Sequence, residues 1–262
     1  MGANGDGGPI IRVEQLTARY GDRTIFDGIS FEVGRGEVFA VLGGSGCGKS
    51  TLLKHMIGLV HPAAGRIWIE GQDITAAEGE ARQMILRGIG VMYQSGALFG
   101  SMTLLENVRL PLEEFTELPE EAMDRIAASK LKLVQLDGFE GFLPAEISGG
   151  MKKRAAIARA MALDPRILFL DEPSAGLDPT TSAELDATIL RLSTTLGVTF
   201  VVVTHELPSI FAIARRVIML DAGAKGIIAS GAPQALRDHP GDDRVRRFFR
   251  REPEREPQEA RA

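Results

Sequence analysis

Two hydrophobic rhythms divide the chain. In its first part, "IRVEQL" (11–16), "ISFEV" (29–33) and "GRIWIEG" (65–71) mix apolar and polar residues at a period of two, separated by Gly and Asp turns. That period predicts strands of an antiparallel layer with one face covered. Three further stretches, "EVFAVL" (37–42), "RILFLDE" (166–172) and "TFVVVTHE" (199–206), are apolar almost throughout. Short and β-rich, they predict parallel strands covered by helices on both faces.

Between about Ala97 and Met161 the rhythm becomes helical. "LLENVRLPLEEF" (104–115) is expected to break at Pro111, "EAMDRIAASKLKLVQL" (121–136) gives a second helix, and "KKRAAIARAMAL" (152–163) carries Ile157 and Met161 on one face. The pattern predicts an α/β core of mixed, mainly parallel sheet, an antiparallel β layer and an inserted helical lobe. Residues 1–9 are Gly-rich and read as a flexible start. Residues 10–250 form one domain with the lobe at about 97–161, and "REPEREPQEARA" (251–262), charged and poor in apolar residues, reads as a disordered tail.

Composition narrows the partners. With 262 residues, 44% of them hydrophobic, the chain can bury a substantial core. Thirty basic against 35 acidic residues leave a net charge of -5, which offers no broad footprint for nucleic acid. Cys47 is the single cysteine, so no internal disulfide forms and a reducing compartment suits the chain. The start has no secretory h-region, and Asp6 stands where a myristoylation signal needs Ser or Thr. No apolar run approaches the ~20 residues of a membrane span, so a membrane role is expected to come through a partner.

One segment carries chemistry on its own. Gly43 to Ser50 read G-x-x-x-x-G-K-S, placed after the strand "EVFAVL" and before the helix "STLLKHMIGL". In that context Gly43, Gly44, Ser45, Gly46, Cys47, Gly48, Lys49, Ser50 and Thr51 form a phosphate loop, and the core reads as a P-loop NTPase. Backbone N–H groups wrap phosphate oxygens, Lys49 reaches the β/γ-phosphates and the Ser50 hydroxyl is offered to Mg²⁺. Asp171 and Glu172 end a buried strand. Alone they read as a solvated turn; beside a phosphate loop, Asp171 can hold Mg²⁺ through its water shell and Glu172 can orient or deprotonate the attacking water. His205 also ends a buried strand, where it is either a structural hydrogen bonder or a contact to the γ-phosphate or that water. Gln94, in "VMYQSG", is either a polar loop residue or a sensor of Mg²⁺ and γ-phosphate at the junction with the lobe. Cys47 is either a small residue that fits the loop or, at a helix N-terminus, a thiol of lowered pKa that oxidants reach.

The phosphate loop, Gln94, "ISGGM" (147–151), "LFLDEPSAGLDP" (168–179) and His205 stand in the order and approximate spacing of ATP-binding-cassette ATPases, and the resemblance covers nearly the whole chain. It implies two copies packed head to tail with ATP between the phosphate loop of one and Ser148, Gly149 and Gly150 of the other. It also implies that Tyr20 stacks on adenine, the lesser alternative being a partly buried strand-end tyrosine, and that Asp178 lies at the dimer interface. A GTPase of the Asn-Lys-x-Asp type is excluded, since the only asparagines are Asn4 and Asn107.

Three segments resemble the ATPases of bacterial phospholipid transporters that work with a permease and an MCE-domain protein. These are "YQSGALFGSMTLLENVRLPLEE" (93–114), "LPAEISGGMKKRAAIARAMALDP" (143–165) with Met151 where many relatives have Gln, and "SGAPQALRDHPGDDRVRRFF" (230–249). The resemblance implies a peripheral protein on the cytoplasmic face of the inner membrane, bound to an integral permease, an MCE-domain lipid-binding protein and a small accessory subunit. Ala97, Leu98 and Phe99 are expected either to meet the permease or, for Phe99, to fill the lobe's core. Phe248 and Phe249 are expected to dock on the other ATPase or a subunit, or to pack on their own domain. The rival readings are an importer ATPase for a small polar solute and a soluble, non-transport ATPase.

Overall fold

The computed structural model describes residues 8–252; most of the expected flexible start (1–9) and most of the expected tail (251–262) lie outside that range. Strands β1 (Ile11–Tyr20) and β2 (Arg23–Val33) pair antiparallel across a Gly21–Asp22 turn. Next comes β3 (Val38–Gly43), which leads through the phosphate loop into α1 (Lys49–Met56). Strands β4 (Ala64–Ile69) and β5 (Gln72–Asp73) then complete a four-stranded antiparallel sheet in the order β2-β1-β4-β5. Helix α2 (Gly79–Arg87) and strand β6 (Ile89–Met92) precede three helices, α3 (Leu104–Phe115), α4 (Glu120–Leu133) and α5 (Gly149–Ala160). The chain returns through β7 (Ile167–Asp171), α6 (Pro179–Leu196), β8 (Thr199–Val203), α7 (Leu207–Ile213), β9 (Arg216–Asp221) and β10 (Gly226–Gly231), and ends in α8 (Pro233–Asp238) and α9 (Asp243–Arg250).

The second sheet runs β10-β9-β3-β8-β7-β6, parallel except for the β9/β10 edge pair. Its apolar strands fill both faces in alternation. Phe39, Val41, Ile167, Phe169, Val201 and Val203 pack toward the antiparallel sheet and α1. Leu168, Leu170, Phe200 and Val202 face the other way, into a cluster shared with α3, α4, α5 and α6. A third cluster covers Ala40, Leu42, Val217 and Met219 with α7 and α9. The strand ends carrying Gly43, Asp171 and Val203 therefore stop at one edge of a sheet held on both sides, which fixes the loops that follow them.

Helix α3 corrects one expectation. It runs unbroken through Pro111 to Phe115. The lost N–H is outweighed by a capping box between Thr103 and Glu106 and by the buried stripe Leu104, Val108 and Leu112, one turn apart on the lobe's core side. Buried Asn107 orders the segment before the helix: its side-chain oxygen accepts from Phe99 N–H at 2.8 Å, and its amide donates to the carbonyls of Phe99, Met102 and Thr103. That clamp leaves Phe99 51% exposed while Leu98 packs on the cluster, so Phe99 does not fill the lobe's core. At the other end, Phe249 is buried against Phe211 and Phe248 packs beside it, placing both rings on their own domain.

Asp186, on α6, is the least comfortable charge in the fold. It is buried, its Oδ1 has no hydrogen-bond partner, and burial pushes its pKa up to about 6. A carboxyl whose folded pKa is raised favours the fold while protonated, and that contribution is lost as pH rises through about 6. Asp186→Asn should therefore raise the melting temperature at pH 8, by up to about 3 kcal/mol of stability, with the gap closing toward pH 4. Parallel melts of both proteins from pH 4 to 8 check this; a gap independent of pH would count against it.

Candidate functional site

Chain reversal after β3 depends on glycine. At Gly43 (φ 145°) a Cβ would overlap the Leu220 carbonyl and lie 2.5 Å from Cys47 Sγ, while at Gly48 (φ 102°) it would lie 2.7 Å from Ile25. Gly48 caps α1, whose first-turn N–H groups have no partner within the helix, as at any helix N-terminus. Lys49 folds back so that Nζ donates to the carbonyls of Gly43 (2.8 Å) and Gly44 (3.0 Å). Gly44, Ser45, Gly46 and Ser50 are exposed and Thr51 is half-buried. The loop thus presents an ammonium, hydroxyls and free backbone donors around one concavity, the complement of a polyphosphate.

Opposite it, β7 delivers two carboxylates. Asp171 Oδ1 and Glu172 Oε2 are buried without a hydrogen-bond partner, while Glu172 Oε1 accepts from or shares a proton with His205 Nδ1 at 2.8 Å. Glu172 adopts the left-handed region (φ 46°), strain of the kind that persists where surrounding contacts over-determine the backbone. Its N–H donates to Val203 O at 2.8 Å. Burial, then the neighbouring Glu172 charge, raise the pKa of Asp171 against the pull of Lys49, Lys54 and Lys153. Gly43, Gly44, Ser45, Lys49, Glu172 and His205 line one open cavity of about 730 Å³.

These orphaned oxygens fit a cation. Among the described residues no group of three or more His, Cys, Asp or Glu side chains could hold a metal unaided. A divalent ion bound here could draw on the Ser50 hydroxyl and Asp171 from the protein and would need phosphate and water for the remainder, the habit of Mg²⁺. Gln94, two residues beyond β6, is exposed, and its backbone carbonyl accepts from buried Lys153, which also reaches the Glu172 carbonyl at 3.4 Å.

Tyr20, Ser148, Gly149, Gly150 and Asp178 are not among the residues lining this cavity. Tyr20, 46% exposed, ends β1. Ser148 caps α5, accepting from Met151 N–H at 3.2 Å, and keeps its own proton free to donate outward. Asp178 caps α6, and hydrogen bonds from the Thr181 hydroxyl and backbone hold its carboxyl below the usual range. The two caps are neighbours, because a Cβ at Gly150 would overlap Thr181 and one at Gly149 would touch Leu177. Gly150 is therefore small for an intramolecular reason as well.

Sequence reasoning missed Lys153 and Arg159. Lys153 sits between Gly150 and Ile157 on the buried face of α5, where a charge breaks the apolar pattern. Arg159 donates to the carbonyls of Gly96 (2.9 Å) and Ala97 (2.7 Å). Of the two readings of Cys47, the small residue that fits the loop stands and the thiol of lowered pKa does not: the thiol is buried, and burial pushes its pKa up despite the nearby Lys49.

Residues 26–175, from β2 to the loop after Glu172, match the family model described as ABC transporter. The chain belongs to that family. This ABC ATPase is 40% identical over 240 residues to the intermembrane phospholipid transport system ATP-binding protein MlaF of Escherichia coli, covering 92% of the chain and 88% of the relative. It is 43% identical over 206 residues to the probable ribonucleotide transport ATP-binding protein mkl of Mycobacterium leprae, covering 77% of the chain but 59% of that protein. Among solved structures, the dimeric post-hydrolysis state of the ATP-binding cassette MJ0796 bound to ADP and Pi matches with TM-score 0.75 and 29% identity, over 85% of this chain and 98% of that one. ATP hydrolysis belongs to this family's cassettes, and the cavity between Lys49 and Glu172 holds side chains of the kinds such chemistry can use.

The buried thiol yields a test. Alkylation of Cys47 by iodoacetamide at pH 7.5 should be at least about 10-fold slower in the native protein than in the guanidinium-unfolded chain, with or without ATP. Fast native labelling that ATP blocks would instead restore an exposed, activated thiol.

Proposed function

We propose that this ABC ATPase dimerises head to tail around two ATP molecules and powers an integral membrane permease that moves phospholipid between the inner membrane and an MCE-domain partner, with a small accessory subunit attached. The cargo reading is carried by one observation, the 40% identity to MlaF across 92% of the chain. The name of the mycobacterial relative favours a rival, a transporter of small polar solutes, though this chain spans only 59% of that protein. Attachment is peripheral, at the cytoplasmic face: among the described residues no helix is long and apolar enough to cross a membrane. A cleft of about 220 Å³ beside the segment after Gln94, with Val91, Pro111, Phe115 and Arg159 in its walls, supports a docking site for the permease.

Dimerisation follows from what one copy lacks. Ser148 and Gly149 are exposed at a helix N-terminus that favours anions, yet they are not among the residues around Lys49. A second copy in the arrangement of the MJ0796 dimer supplies them, together with Gly150, to the other copy's γ-phosphate, with Asp178 at the interface and Tyr20 on the adenine. Lys49 and the loop amides hold the β/γ-phosphates; Ser50, Asp171 and Gln94 hold Mg²⁺, which when bound neutralises charge on the transferring phosphoryl group. Glu172 takes the proton of the attacking water, and His205, hydrogen-bonded to Glu172, fixes that carboxylate and faces the γ-phosphate.

Glu172→Gln should keep ATP binding, hold the dimer closed and lower kcat by about 100-fold or more, as steady-state turnover and sedimentation with ATP will read. Wild-type turnover would remove Glu172 from the mechanism. Ser148→Arg should bind ATP as a monomer without closing, and normal turnover would refute the shared site. Purification of the tagged protein from mildly solubilised membranes should recover a permease, an MCE-domain protein and phospholipid. Recovery of a solute-binding protein and importer, or of no membrane protein, would overturn the cargo reading.

A further inference from the structure

Lys153 is the one charge on the buried face of α5, 7% exposed and one turn inside the helix that starts at Ser148 and Gly149. Its ammonium does not end on a carboxylate. It donates to two backbone carbonyls, those of Gln94 and of Glu172, the latter at 3.4 Å. These carbonyls belong to different segments, one leaving β6 toward Phe99 and the other leaving β7 toward the α6 cap. Taking a lysine out of water is costly, and burial lowers its pKa even with Asp171 and Glu172 near enough to favour the charge. Such a group is kept where its donors tie together things that packing alone does not.

Each tied segment needs restraint. Glu172 holds a left-handed backbone, and its peptide is anchored on the N–H side by Val203. On its C=O side it accepts from Ala175 N–H at 3.2 Å, within its own loop, and from Lys153, the contact that comes from another element. Gln94 starts a segment that α5 also grips through Arg159 at Gly96 and Ala97. Helix α5 thus holds the post-β6 segment at two cations and the Glu172 peptide at one of them, with its N-terminus exposed at Ser148. A rotation of the Glu172 peptide swings the carboxylate that pairs with His205, and misplacement of about 1 Å at a catalytic group costs up to about 100-fold in rate.

We propose that Lys153 is a positioning residue, whose buried ammonium crosslinks the carbonyls of Gln94 and Glu172 so that the position of α5 and of the segment leading to Phe99 sets the orientation of the Glu172 carboxylate. This rests on the reading that Glu172 aligns the attacking water. Contacts made at Ser148 or near Phe99 then reach the hydrolytic centre through one side chain.

The full-length protein with Lys153→Met, Lys153→Arg and Glu172→Gln tests it, using steady-state ATP turnover, ADP affinity and thermal melts. Lys153→Met should lower kcat about 10- to 100-fold while the KM for ATP and the Kd for ADP move less than about 3-fold. Lys153→Arg, which keeps donors for both carbonyls, should recover most of that loss even if both variants melt at the same lowered temperature. A Lys153→Met kcat within about 2-fold of wild type, or equal losses in the Met and Arg variants, overturns the proposal. Should Lys153→Met fail to fold, Lys153→Gln replaces it, with a kcat expected between those of Arg and wild type on one side and zero turnover on the other; wild-type kcat there overturns the proposal too. Unchanged turnover in Glu172→Gln strikes the reading of Glu172, whereas loss there with no loss in the Lys153 variants strikes this inference alone.

Discussion

Two buried carboxylate oxygens at the end of β7, Asp171 Oδ1 and Glu172 Oε2, have no hydrogen-bond partner. Leaving such groups unpaired costs on the order of 1–3 kcal/mol each, more when charged. The neighbourhood is organised around that cost: Lys49 and Lys153 bring positive charge to Asp171, and His205 takes the one Glu172 oxygen that remains. A fold selected for stability alone would place apolar side chains there. Unpaired oxygens of this kind suit a metal ion and a water, so the function proposed for the site and its cost to stability have the same source.

Holding such groups in place requires a stiff frame. The six-stranded sheet supplies it, since alternate residues of β3, β7 and β8 are locked into separate clusters on its two faces. None of these strands can slip by one residue without turning one buried face into the other, so the ends that carry Gly43, Asp171 and Val203 keep a common edge. The helical segment is less independent than its place in the sequence suggests, because Leu168 and Leu170 of β7 share a cluster with α3, α4 and α5. Movement of that segment is felt at β7, immediately before the carboxylates.

What was legible in the sequence follows from how local each feature is. The phosphate loop and the Asp171–Glu172 pair are short motifs with strand or helix context on either side, and β1, β2, β3, β4, β7 and β8 were readable from periods of two and unbroken apolar runs, whereas β5, β6, β9 and β10 were not. Pro111 misled because propensity was weighed without the buried stripe that carries α3 through it. Cys47 stayed open between two readings because its burial depends on packing against Gly43, which a helix N-terminus does not predict. Lys153 was visible as a charge on an apolar face, but its two acceptors lie 59 and 19 residues away. The roles proposed for Ser148 and Asp178 rest on resemblance, since within one chain both are simply helix caps.

The clamp made by Asn107 has a consequence for recognition. Four hydrogen bonds from one buried amide side chain fix the turn ahead of α3 while the adjoining phenyl ring of Phe99 stays in solvent. Ordering a backbone residue costs about 1–2 kcal/mol, and here that cost is met during folding. A partner that receives the ring therefore meets a backbone already fixed, and the association is spared the cost of ordering it.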